Sequence, residues 1–312
     1  MTSVVIVDYK TPRESFMYIG RFVEAITTDD DLHYVVVDNS GTDDIRTYCE
    51  EQSIEMEHVD SDEYDAYTVN VGRATVYVID AHGNLGYAKG NNLGVRFSND
   101  MWHDRRVIIS NNDVYFPRHI DLDSFEQVLR EHPDVAVVGP MVRSMDDSIQ
   151  QSPRSMMTFS KWVFRYWMFG IAPRFALRIG DAVTTNRSQY VYWVTGCFMY
   201  VDAEKFSQVG MFDPNTFLYW EEKILSERLA RHGYRMYFTT GVTIHHQMGN
   251  TISNAVATLR SAKFNYDSAI YYFTTYRRIN KLQSLIASLS FHFYTGVFPI
   301  RQKIKGAVRR NK

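Results

Sequence analysis

Residues 2–44 read TSVVIVDYKTPRESFMYIGRFVEAITTDDDLHYVVVDNSGTDD, and this stretch decides the fold. Ser3–Val7 is a short apolar run with the length of a buried strand. Phe16, Ile19, Phe22, Val23 and Ile26 then recur at helical spacing. Tyr34–Asp38 is a second buried-type strand, followed by the turn formers Asn39-Ser40-Gly41. Working outward, Ala74–Ile79, Val107–Ser110 and Ala136–Val138 read as further strands, and Tyr87–Phe97 as a helix. Strands that alternate with helices predict an α/β sheet, largely parallel. Ligands of such sheets gather beyond the carboxyl ends of the strands. Asp8, Asp38 and Asp113 fall at or just past such ends.

Composition narrows the function classes. The 312 residues allow one large domain, or one domain with an extension. Hydrophobic residues at 45% supply a sizeable core, and a net charge of −2 gives no signature of nucleic-acid binding. Cys49 and Cys197 lie far apart outside any CxxC pattern, which argues against a zinc site or a disulfide framework and favours a reducing, cytoplasmic setting. No basic region precedes a signal-type apolar stretch, so a secretory signal is not expected.

The second half is less regular. Ser144–Pro153 reads as a polar loop, and Lys161–Ile179 as a packed helix or as a surface facing membrane or acceptor. Tyr190–Val201 returns to a strand, and Glu221–Arg231 is a helix stopped by Gly233. After Asp267 the chain has no acidic residue, while Arg277–Lys312 carries nine Lys or Arg. Leu282–Ile300 lacks all four charged types, yet its serines, Gln283, His292, Gly296 and Pro299 make it too polar for a membrane span. It suits either a helix lying in an anionic membrane interface or a packed helix with a solvated basic tail.

Five constellations could carry chemistry. Asp113, in VIISNNDVYF, can hold a hard divalent ion and leave positions open for phosphate oxygens. Asp38 can accept from a base or ribose, or cap the turn and helix that follow it. Gly83–Gly94 is rich in Gly and Asn, so its backbone could approach a phosphate or sugar closely while Lys89 offsets charge. It matches neither GxGxxG nor the P-loop, and no glycine lies between the first strand and Gly20, so a dinucleotide site is disfavoured. Glu221-Glu222 open a helix whose macrodipole should hold their pKa down, and an ionised carboxylate there can act as a general base. Neighbours on a helix point about 100° apart, so at most one faces the reaction. His245-His246 end the run Val242-Thr243-Ile244, and strand alternation puts their rings on opposite faces, one available to a metal.

In this order the segments VVIVDYKTP, YVVVDNSGTDD, GNLGYAKGNNLG, VIISNNDVYF, VTGCFMYVDAEKFSQVGMFDPNTFLYWEE and HHQMGNT resemble family 2 glycosyltransferases of the GT-A fold. The nearest likeness is to rhamnosyltransferase-like enzymes of bacterial cell-surface polysaccharide synthesis, over roughly residues 2–250. The resemblance implies an α/β fold with a mostly parallel central sheet flanked by helices. Residues 1–255 would be catalytic, with a nucleotide-sugar half to about 115 and an acceptor half from 116, and residues 256–312 would form a helical C-terminal extension. Asp38 resembles the acid that contacts the nucleotide base, and Asp8, Tyr9, Asn84, Gly86, Lys89, Asn91, Asn112 and Asp113 complete the expected donor set. Asn111-x-Asp113 stands in the place of the DxD motif, with Asn111 departing from its first acid. Asp113, Asn111 and His246 are the implied ligands of Mg2+ or Mn2+, with His245 in reserve. Glu221-Glu222 resembles the ED motif, which makes Glu222 the base, one methylene longer than the Asp of the family. Trp193, Thr195 and Gly196 fall in the donor and acceptor pocket.

The implied reaction is a single inverting displacement from a dTDP- or UDP-sugar onto a glycan, linked to a polyprenyl diphosphate, on the inner face of the cell membrane. A catalytically inactive nucleotide-sugar-binding or scaffold protein would bind donor without turnover, and a nucleotidyltransferase would consume triphosphate. Adjacent acids on one helix start cannot readily flank a glycosidic bond, which argues against a glycosidase.

Overall fold

The structure, a computed structural model, describes residues 1–28, 30–150, 154–171, 185–247 and 255–310. The first half runs β1 (Thr2–Asp8), α1 (Pro12–Ala25), β2 (Ile26–Thr27), β3 (Leu32–Asp38), α2 (Asp44–Glu51), β4 (Glu57–His58), β5 (Ala66–Val71), β6 (Ala74–Asp80), α3 (Gly86–Trp102), β7 (Arg106–Ser110) and β8 (Val114–Tyr115). The second half runs β9 (Ile120–Asp121), α4 (Asp123–Glu131), β10 (Val135–Arg143), α5 (Phe159–Ile171), β11 (Gln189–Val191), β12 (Phe198–Asp202), α6 (Ala203–Gln208), α7 (Glu221–Arg231), β13 (Arg235–His246), α8 (Ala255–Thr275) and α9 (Lys281–Arg310).

One sheet organises the molecule, in the order β11-β13-β10-β12-β7-β1-β3-β6-β5-β4, with β8 paired to β13. Its centre, β7-β1-β3-β6, is parallel, as are β10 and β13. Strand β12 joins these blocks by antiparallel pairing with β7 and β10, and the β4-β5-β6 edge is antiparallel. The sheet is therefore mixed, with a parallel centre drawn from the first half of the chain and a second parallel pair, β10 and β13, from the second. The central strands are Val/Ile runs because both faces are covered: Val4–Ile6 and Val35–Val37 have no exposure. Burying each such side chain contributes about 1.5–3 kcal/mol.

Helix α1 begins at a proline, whose fixed φ suits a first turn, and buries Phe16, Tyr18, Ile19 and Phe22. Helix α3 lies against β1 and β3 through Gly90 and Gly94. A Cβ at Gly94 would sit 2.5 Å from Val5 Cγ1, and one at Gly90 3.0 Å from Val7 Cγ1. These two glycines serve helix–sheet contact, which differs from the phosphate approach expected for the Gly83–Gly94 segment.

Other expectations also shift. The single strand expected over Tyr190–Val201 is two strands, β11 and β12, separated by an irregular stretch. Helix α5 covers the first part of Lys161–Ile179, and residues 172–179 lie outside the described residues. So do residues 151–153 of the polar loop, and Gly249 and Thr251 of the His-x-x-Gly-x-Thr pattern. Helices α5, α8 and α9 share an aromatic core, in which Trp162, Tyr166, Tyr272, Phe273 and Phe291 pack with Ile224 of α7 and with Trp220, which caps that helix. The C-terminal helices thus pack on the α/β unit through one face.

Candidate active site

Parallel register sets Asp8, Asp38 and Asp80 side by side at the strand ends. The first two are turned into the fold. Asp8 has no exposure, and its carboxylate accepts from Thr11 Oγ1 at 2.9 Å, Ser15 Oγ at 2.7 Å and Thr11 N at 3.2 Å. Burial raises its pKa, and those hydrogen bonds pull it part of the way back. Asn112 Nδ2 donates to Thr11 Oγ1 and Ser15 Oγ, both at 2.9 Å, and Arg21 holds the Asn112 carbonyl at 3.1 Å. Asp8 and Asn112 therefore brace the turn that presents Asp113. Both oxygens of Asp38 take backbone amides, Ser40 N and Ile45 N at 3.0 Å, which is the capping alternative.

Asp80 was not foreseen. It accepts from His82 N at 2.7 Å, and with Asp65 and His82 it forms a group whose ligand atoms lie within 4.8 Å of one another. Burial and the nearby Asp43 raise its pKa. Its position at the end of a β-branched strand, level with Asp38, was the available signal.

On the Gly/Asn segment, Asn84 Oδ1 accepts from Gly86 N at 3.0 Å and Asn39 Nδ2 at 3.2 Å. Gly86 has φ +77°, and a Cβ there would lie 2.2 Å from the Phe217 carbonyl oxygen. Asn91 is buried and donates to Tyr87 O at 2.9 Å, so its side chain belongs to the helix packing. Lys89 is exposed, as is Tyr9.

Asp113 and His246 meet because β8 pairs with the end of β13, with His246 opposite Val114. His246 Nε2 stands 3.1 Å from Asp113 Oδ1, an atom with no hydrogen-bond donor of its own. Behind the ring, Gln150 Nε2 donates to the His246 carbonyl at 2.6 Å, and its Oε1 faces His246 Nδ1 at 3.0 Å. The first contact fixes the amide orientation, so Nδ1 carries the hydrogen that Oε1 accepts. In the neutral ring, Nε2 then turns a lone pair toward a carboxylate oxygen. Two facing acceptors require a proton or a cation between them, so these residues fit a divalent ion. An imidazole beside a carboxylate suits Mn2+ better than Mg2+, which prefers oxygen alone. His245, on the opposite side of the strand, engages Asp147 at 3.1 Å. Asn111 is held through its amide, which donates to Cys197 O at 2.9 Å.

The acidic pair lies across the 195–197 segment. Glu222 Oε1 accepts from Gly196 N at 3.0 Å, while Tyr87 Oη donates to Gly196 O at 2.7 Å. No side chain fits there: a Cβ on Gly196 would be 2.6 Å from Glu222 Oε1 and 2.9 Å from Tyr87 Oη. Glu221 is 3% exposed, and its Oε1 has no partner. Burial, and secondarily Glu222, push its pKa up to about 8, opposite to the macrodipole expectation. The reason is magnitude, since a dipole contributes about 0.3–1 kcal/mol and burying a charge costs several. Trp193 is 6% exposed and lies under Lys223, whose Nζ is 3.8 Å from the centre of its ring. Thr195 is half-buried beside Gly196. The Cys197 thiol is raised by burial first and then by both Asp113 and Glu222, so both carboxylates lie in its neighbourhood.

This geometry has relatives. The sequence pattern described as "Glycosyltransferase like family 2" matches residues 2–263. The chain belongs to that family. Within it, the chain is 27% identical over 188 residues, 56% of its length, to the N-acetylglucosaminyl-diphospho-decaprenol L-rhamnosyltransferase of Mycobacterium tuberculosis. It is 22% identical over 223 residues, 70% of its length, to the low-salt glycan biosynthesis hexosyltransferase Agl10 of Haloferax volcanii. The matches span 60% and 58% of those two proteins. The fold resembles the Pyrobaculum calidifontis mannosyltransferase solved with GDP-Man and Mn2+, at TM-score 0.50, 15% identity and coverage of 100% of this chain and 75% of that one. It also resembles GalNAc-T7 with UDP, GalNAc and Mn2+, at TM-score 0.57, 13% identity and coverage of 89% and 49%. The family 2 member described here therefore has the GT-A architecture.

Proposed function

We propose that this chain is a metal-assisted, inverting glycosyltransferase that moves a sugar from a dTDP or UDP carrier to a hydroxyl of a lipid-linked glycan. The observation that supports the reading is that Asp113, which contacts His246, and Glu222, which accepts from Gly196 N, both act on the buried Cys197 thiol next to Gly196. Asp113 and His246 would hold the cation, with Asn111 beside them, and a bound cation would offset charge on the departing diphosphate. Glu222 takes the proton of the acceptor hydroxyl as its oxygen attacks the anomeric carbon. The bond from that carbon to the diphosphate oxygen breaks on the opposite face, so configuration inverts without a covalent enzyme intermediate. Gly196 N holds the Glu222 carboxylate in place, and the Tyr87 hydroxyl steadies the same loop from its carbonyl side.

Rhamnose is the favoured sugar and a polyprenyl diphosphate the favoured acceptor carrier, because the mycobacterial relative is named for that chemistry. The site would then work on the inner membrane face, with residues 1–255 catalytic and 256–312 as the extension. The test is thermal stability with UDP, dTDP, GDP and NAD, each with and without Mn2+ or Mg2+. A ligand at 100 times its Kd should add about 2.7 kcal/mol. A metal-dependent shift with UDP or dTDP that disappears in Asp113→Ala supports the reading. No shift with any nucleoside diphosphate would move it to a scaffold protein.

A further inference from the structure

Helix α9 buries one face and leaves another bare. Ala287, Ser290 and Phe291 are buried against the aromatic core, and Ser290 Oγ accepts from Trp167 Nε1 at 2.9 Å. Leu282, Leu285, Ile286 and Leu289 are 65%, 55%, 40% and 57% exposed. Their spacing of three, one and three places all four on a single stripe. The apolar surface extends onto α5. Trp167, itself 38% exposed, stacks on Phe293 at 4.4 Å, and Phe164 is 48% exposed. Scattered single hydrophobics at a surface need no explanation, but a contiguous stripe on a packed helix does.

Charge decides what covers it. Neither α5 nor α9 contains an acidic residue. Lys161 and Arg165 lie on α5, Lys281 opens α9, and the exposed Arg278 lies just before it. A second copy would bring an equally basic face against this one, and like charges would oppose the contact. An anionic bilayer accepts both components, leucines at the acyl boundary and basic groups at the headgroups. No helix among the described residues is long and apolar enough to cross a membrane.

We propose that α5 and α9 form a docking face for the surface of an anionic lipid bilayer, seated through Leu282, Leu285, Ile286 and Leu289. This deepens the membrane-facing part of the proposed function and rests on it. The face holds the enzyme beside lipid-linked acceptors by lying in the interface.

The experiment is co-sedimentation of the full chain with vesicles of phosphatidylcholine alone or mixed with phosphatidylglycerol, at low and high salt. Wild type is expected to partition onto the anionic vesicles, and less so at high salt. Leu285→Asp with Leu289→Asp should cut partitioning by about a hundredfold, since each lost buried leucine costs about tenfold. These side chains are exposed, so thermal unfolding of the variant should match wild type. Wild type that stays in the supernatant with anionic vesicles, or a variant that binds as well as wild type, overturns the proposal. So does a dimer in light scattering that the same variant dissociates. The nucleotide panel is run on the same preparations. A metal-dependent nucleotide shift without vesicle binding would remove the docking face and leave the glycosyltransferase reading intact.

Discussion

Gln150 grips His246 at two points, donating to its carbonyl at 2.6 Å and facing its Nδ1 at 3.0 Å. One amide thus holds both the strand end and the ring, whose Nε2 stands 3.1 Å from Asp113 Oδ1. Groups of this kind behind a ligand tune metal affinity by about 10–100-fold.

Gln150→Leu should therefore weaken Mn2+ binding by about 10–100-fold, read by electron paramagnetic resonance of free Mn2+. Gln150→Glu keeps an acceptor for Nδ1 and should stay nearer wild type. Equal affinity in all three proteins would remove Gln150 from the site.

Gly196→Ala places a methyl 2.6 Å from Glu222 Oε1. The carboxylate or the loop must move, and a displacement of about 1 Å at a reacting group costs on the order of 10²-fold in rate. The expected result is a fall in kcat with donor KM little changed. A KM effect alone would mean that the loop shapes donor binding instead.

Glu221 makes stability depend on pH. Its folded pKa is pushed up by burial to about 8 from the ordinary glutamate value of 4.5. The favourable contribution is complete below the unfolded value and is lost as pH rises through the folded one, because the folded state holds the extra proton. Stability should fall by about 1.4 kcal/mol per pH unit at most across that window. Glu221→Gln should flatten the slope and unfold later than wild type above pH ~8. Chemical denaturation across this range reads it directly, and an unchanged slope would assign the pH dependence to other groups.

The parallel centre of the sheet was legible because strands covered on both faces are written as unbroken Val/Ile runs, as in Val35–Val37 and Val107–Ile109. The β4–β5 edge was not, since Glu57–His58 is exposed and Ala66–Val71 mixes buried and exposed positions. The break between β11 and β12 was hidden because β-prone residues, Tyr190–Val194 and Phe198–Val201, lie on both sides of it, with only Gly196 to signal it. Asp113, Glu222 and His246 announce themselves by residue type. Gln150 does not, because its significance comes only from strand pairing that brings residues 96 apart into contact. Glu221 misled for a different reason, since burial is a tertiary property that overrides a local dipole.

The most direct test is release of nucleoside diphosphate from dTDP- and UDP-sugars with Mn2+ and a membrane-extracted acceptor, comparing wild type with Glu222→Gln. The amide cannot take the proton but keeps an oxygen for Gly196 N. Turnover by wild type, reduced about 10²–10⁴-fold in the variant with donor affinity unchanged, is the predicted result. Equal turnover in both proteins, or none in wild type despite tight donor binding, would contradict Glu222 as the base of a working glycosyltransferase.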